Sequence, residues 1–90
     1  MNHLVDQLQD LIATAGFKRY MEPFRLDERS CLGVSCPDDE VGSLLFRLLE
    51  AADYVTDRDK RSEVIALVES VKTTKDGGDR TLLYWPDLLL

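Results

Sequence analysis

A single histidine, His3, stands in the whole chain of 90 residues. Nucleophilic catalysis of the Ser-His-Asp or Cys-His kind needs a histidine held against its nucleophile, and this one falls in the first turn of a terminal helix, where ends fray. No triad is expected. Cysteine is almost as scarce: Cys31 and Cys36 lack both the C-x₂-C spacing and the second Cys/His pair of a zinc site. If they share one strand, five residues at roughly 3.3 Å each set them about 16 Å apart on opposite faces, too far for a disulfide. They read as small core residues. Long apolar runs are missing too, and Met1-Asn2-His3-Leu4 has neither the basic nor the unbroken apolar region of an export signal. The expectation is a protein of the reducing cytoplasm, neither exported nor membrane-spanning.

Basic charge is in short supply. Eleven Lys and Arg stand against 17 Asp and Glu, a formal charge of −6, and a field of that sign repels phosphate backbones. Nucleic acid is a disfavoured partner. The acidity suits a partner with a basic surface, or does no more than keep a small domain dissolved.

What is present is the balance of an ordinary globular protein, 44% hydrophobic and 31% charged, in a chain long enough for one core and too short for two. One domain over residues 1–90 is expected. Asn2 can cap a helix over 3–15 in which Leu4, Val5, Leu8, Leu11, Ile12 and Ala15 recur at helical spacing, with Gly16 as its left-handed stop. A connector follows over 17–23. Phe24 and Leu26, then Leu32, Val34 and Cys36, alternate with polar or small residues around Asp27-Glu28-Arg29-Ser30, the pattern of a hairpin with one face buried.

Pro37 with Asp38, Asp39 and Glu40 reads as the start of a helix over 38–55, since proline suits a first turn and carboxylates suit the positive end of the dipole. Its stripe of Val41, Leu44, Leu45, Leu48, Leu49, Ala52 and Val55 is the best-defined apolar surface in the chain. Thr56-Asp57-Arg58-Asp59 resembles a capping box and predicts a third helix over 57–70, although Val64-Ile65-Ala66-Leu67-Val68 is also a β-branched run that fits a buried strand. Paired glycines in Lys75-Asp76-Gly77-Gly78-Asp79 predict a second hairpin, with strands near 71–75 and 80–85 and Pro86 as the end. The fold class is α+β: two or three helices on short antiparallel hairpins, in the order α-β-β-α-(α or β)-β-β.

Three groups of residues stand out as candidate sites. The acids Asp38, Asp39 and Glu40 can hold a cation or stand in for phosphates, but a helix N-terminus accounts for them without a ligand. Phe46 and Tyr54 fall among Arg47, Glu50 and Asp53, off the apolar stripe; either another element such as helix 3–15 covers them, or they belong to an exposed contact surface. Leu88, Leu89 and Leu90 close the sequence without a polar residue, and can fold back on the core, pair across a homodimer or enter a partner's groove. No residue pattern calls for a cofactor or a metal.

The expected function is a non-catalytic protein-binding module of the adaptor, chaperone or inhibitor type. The alternative is a winged-helix-like DNA-binding regulator, because two helices and a glycine-turned hairpin come in that order with Arg58, Lys60, Arg61, Lys72, Lys75 and Arg80 among them. Asp57, Asp59, Glu63, Glu69, Asp76, Asp79 and Asp87 neutralise the same stretch. An enzyme that assembles its site across subunits is the third class.

Overall fold

In a computed structural model, which describes residues 3–90 and only the backbone of His3, three helices pack on one face of a four-stranded antiparallel sheet. The chain is α+β in the order expected. The proposed cap Asn2 and the side chain of His3 lie outside the described residues. No helix among those described is long and apolar enough to cross a membrane.

Helix α1, His3–Thr14, buries Val5, Leu8 and Ile12. It stops at Gly16, whose φ of 92° only glycine adopts freely. Phe17 N–H donates to the Ile12 carbonyl and Gly16 N–H to that of Ala13, and Phe17 and Ile12 are both buried, which completes the hydrogen bonds and apolar contact of a Schellman stop. The 17–23 connector holds a 3₁₀ turn at Lys18–Tyr20 and then a bridge from Met21 to Val34.

Strands β1, Phe24–Leu26, and β2, Arg29–Pro37, meet at a two-residue turn, Asp27-Glu28, with φ of 50° and 65°. Both turn residues are left-handed, the geometry that matches the twist of a hairpin. β2 therefore starts three residues before the expected Leu32. Residues Cys31 to Cys36 are buried without a break, so β2 is covered on both faces rather than on one.

Helix α2 is Val41–Asp53, not 38–55; a 3₁₀ turn at Asp38–Glu40 precedes it and Pro37 ends β2 in extended conformation. Residue 38 is tied to the opposite hairpin instead. Its N–H donates to the Asp79 carbonyl, and its carboxylate takes bonds from Lys75 Nζ and Thr81 Oγ1. Helix α3 is Arg58–Glu69, which resolves the helix-or-strand ambiguity in favour of helix. Asp57 caps it by accepting from Lys60 N–H at 3.0 Å, while Val64 and Val68, one turn apart, face the core.

Strands β3, Lys72–Lys75, and β4, Arg80–Leu89, form the second hairpin, and the sheet order is β1-β2-β4-β3. β4 does not end at Pro86. Leu32 pairs with Trp85 but the preceding Cys31 pairs with Leu89, so Pro86, Asp87 and Leu88 form a bulge, a place where a residue without an N–H is tolerated. Leu32, Val34 and Cys36 of β2 meet Leu83, Trp85 and Leu88 of β4 beneath the helices, forming the core with Leu8, Leu44, Leu48 and Val68. At the far end Ser35, the buried polar residue of this sheet, donates to Asp76 and accepts from Arg80 Nε. That network fixes the hairpin tip to β2.

Candidate functional site

The 13 residues of α2 cannot all face the core. At about 100° per residue, Leu44, Leu48 and Ala52 turn inward and are fully buried, which sends Phe46, Leu49, Glu50 and Asp53 to the other side. Phe46 is 67% exposed and Tyr54, just past the helix, 81% exposed. Of the two explanations for these aromatics, cover by α1 fails and exposure holds. Leu49 is a correction of another kind: the apolar stripe includes it in the core, yet it is 36% exposed. It lies roughly 80° from Val41 around the helix, at the margin of the stripe, and α3 does not extend over it.

These side chains share a concave surface with α3. Phe46, Leu49, Glu50 and Asp53 of α2 and Ile65 and Glu69 of α3 line an open cleft of about 470 Å³. Its floor is apolar and its polar lining residues are all acids. Ile65 and Glu69 are one turn apart, so they stand on the same face of α3, the side adjacent to buried Val64 and Val68. Tyr54 lies beside a second hollow of about 310 Å³, lined also by Thr14, Ala15, Arg47, Glu50 and Ala51. Glu50 borders both hollows, which makes one continuous outer surface of α2.

The other candidate residues lie elsewhere and are not brought to this cleft. Asp38 is held below its ordinary carboxylate value by hydrogen bonds from Lys75 and Thr81, and so serves the join between β2 and the second hairpin. Glu40 accepts from the Tyr20 hydroxyl at 3.1 Å. Asp39 alone of the three is an exposed acid without such a bond described. Leu88 is buried in the core, the fold-back outcome for the tail; Leu89 pairs with Cys31, and Leu90 N–H donates to the Ser30 carbonyl. The side chains of Leu89 and Leu90 stay exposed.

Cys31 and Cys36 are both free and buried, on opposite faces of β2 as their spacing requires. Burial pushes both thiols up, and Glu40 adds to the effect at Cys36. Thiols held in the protonated form are poor nucleophiles. Among the described residues, no three His, Cys, Asp or Glu side chains converge as metal ligands.

The architecture defines a small α+β domain with its helices on one side of the sheet and an uncovered apolar and acidic surface on those helices. Comparisons with protein-family models, with curated proteins and with solved structures return no match.

Proposed function

We propose that this chain is a non-catalytic protein-binding module that works by occupying a partner's surface with the outer face of α2. The observation that carries the proposal is the exposure of Phe46 and Leu49 on α2 and of Tyr54 at its C-terminal end. Aromatics left in water on a small domain mark contact surfaces, since their burial supplies much of the energy of an interface. A partner with a basic surface fits the charge of −6 and the acids beside these side chains. A cytoplasmic setting and a homodimer through the exposed Leu89 and Leu90 belong to the same proposal.

The test is capture of a partner on immobilised protein. The double substitution Phe46→Ala with Tyr54→Ala is expected to weaken retention by about 30-fold or more, the effect of losing roughly 2 kcal/mol at an interface hot spot. The melting temperature should stay close to that of the unsubstituted chain because both side chains are exposed. Undiminished retention would remove the α2 surface from the function.

The DNA-binding alternative draws support from one feature: α2, α3 and the β3–β4 hairpin follow one another, with β2, β4 and β3 adjacent in that order in the sheet. Charge argues the other way. On α3, Arg58, Lys60 and Arg61 are matched by Asp59, Glu63 and Glu69, and the hairpin tip carries Asp76 and Asp79. Titration with a mixed-sequence duplex at low salt is expected to give no saturable binding. Affinity that falls steeply as salt rises would reverse the ranking.

A further inference from the structure

We infer that the cleft between α2 and α3 receives a short amphipathic helix of a partner protein, one that carries a bulky apolar side chain flanked by lysine or arginine. The inference rests on the protein-binding reading and adds the chemistry of what is bound. Phe46, Leu49 and Ile65 form an apolar floor, while Glu50, Asp53 and Glu69 supply every charge on the lining. An acidic rim around an apolar floor selects against a neutral or acidic segment and for one that presents both features at once.

The shape of the partner follows from hydrogen bonding. The walls of the cleft are two helices, whose backbone groups bond within each helix except at the ends. An extended peptide laid there would lose water from its N–H and C=O groups and find no partners for them. A helix satisfies its own. The scale agrees: Phe46 to Asp53 covers about 10 Å of helix axis at 1.5 Å per residue, so an incoming helix of two to three turns spans the floor. Glu50 and Asp53, three residues apart, meet basic side chains placed three or four residues apart on the incoming helix. A cleft of about 470 Å³ open to solvent is large enough for a Leu, Met or Phe side chain to enter from above.

The experiment uses the full chain and three synthetic peptides of about 18 residues: a leucine-lysine amphipathic helix, the same peptide with every lysine replaced by glutamate, and a copy broken by two prolines. Calorimetry should detect saturable one-to-one binding of the first, and at least tenfold weaker binding of the other two. Because any acidic protein attracts a cationic peptide, two variants with equal loss of charge are compared. Glu50→Gln, Asp53→Asn and Glu69→Gln together are expected to weaken binding at least tenfold; Asp6→Asn, Asp39→Asn and Asp87→Asn together, all at exposed positions, should change it less than threefold. Thermal melts of both variants confirm folding. Equal weakening by the two triples, or binding of the proline-broken peptide as tightly as the helix, overturns the inference. Should the lysine peptide not bind while Phe46→Ala with Tyr54→Ala still abolishes partner capture, the partner is not a basic helix and the α2 surface stands. Should neither behave as stated, both readings fall.

Discussion

Replacing Trp85 by alanine is expected to cost the fold about 3–5 kcal/mol, the range for removing a buried aromatic side chain. Trp85 is 1% exposed, sits opposite Leu32 on the central strand pair, and donates from Nε1 to the Leu67 carbonyl of α3 at 3.1 Å. One side chain therefore joins the sheet to the last turn of a helix. The lost area, more than the lost hydrogen bond, sets the magnitude, since the Leu67 carbonyl keeps bonds from the Ser70 N–H and hydroxyl and is not left unpaired. A domain of this size has a total stability of roughly 5–15 kcal/mol, so the variant should melt on the order of 20 °C lower. Trp85 is the sole tryptophan, and circular dichroism must replace its fluorescence as the probe in urea. Trp85→Phe, which keeps a ring in the same space, should recover more than half of the loss. An unfolding free energy within about 1 kcal/mol of the unsubstituted protein in Trp85→Ala would show that this residue does not hold α3 to the sheet.

The helices were the most legible part of this chain because their signal is periodic and local. Val5, Leu8 and Ile12, or Leu44, Leu48 and Ala52, repeat at helical spacing and are the residues buried. At 64–68 composition and period disagree, and the outcome follows from the ends: Asp57 caps, and the next buried position after Val64 is Val68 rather than Ala66. The strands were less legible because their limits depend on partners far away in sequence. Asp27-Glu28 makes a left-handed two-residue turn without glycine, so the polar run 27–30 marks the turn but no residue in it sets its limits. Pro86 reads as a stop, yet a bulge opposite Cys31 and Leu32 admits it. Pro37 with its three acids has the pattern of a helix start, and yet Asp38 is drawn into the sheet by Lys75, Asp79 and Thr81, residues more than 35 positions away.

The cleft was half visible. Phe46 in the cleft, and Tyr54 beside the second hollow, are out of step with the apolar stripe, and that mismatch needs no tertiary structure to detect. Ile65 and Glu69 become part of the cleft only through the way α3 lies across α2, and nothing in the local sequence separates Ile65 from its core-facing neighbours Val64 and Val68. The same crossing decides Leu49. Its place at the margin of the stripe makes it core or surface according to whether the neighbouring helix covers it.

Gly33→Ala isolates a second long-range dependence, and two effects compete at this position. Alanine is favoured over glycine in a strand by roughly 0.5–1 kcal/mol, because glycine loses more backbone freedom on folding. Against that, a Cβ at residue 33 would stand 2.8 Å from the Glu22 carbonyl oxygen, with Phe24 and Leu82 at 3.4 and 3.5 Å. The nearest atom belongs to the backbone and cannot rotate away as a side-chain tip would. Moving it breaks the bond from Glu22 N–H to the Gly33 carbonyl, 3.0 Å long, and with it the bridge from Met21 to Val34. The clash is expected to win, for a net loss of about 1–3 kcal/mol, as for other insertions into well-packed sites. The damage should be local in its first expression: amide exchange at Glu22 and Phe24 accelerates more than at Leu83 or Trp85, which are held by β2–β4 pairing. Unchanged stability with unchanged protection at Glu22 would mean that the 21–24 segment can shift away at no cost, and that the edge of the sheet is not fixed by the missing side chain at residue 33.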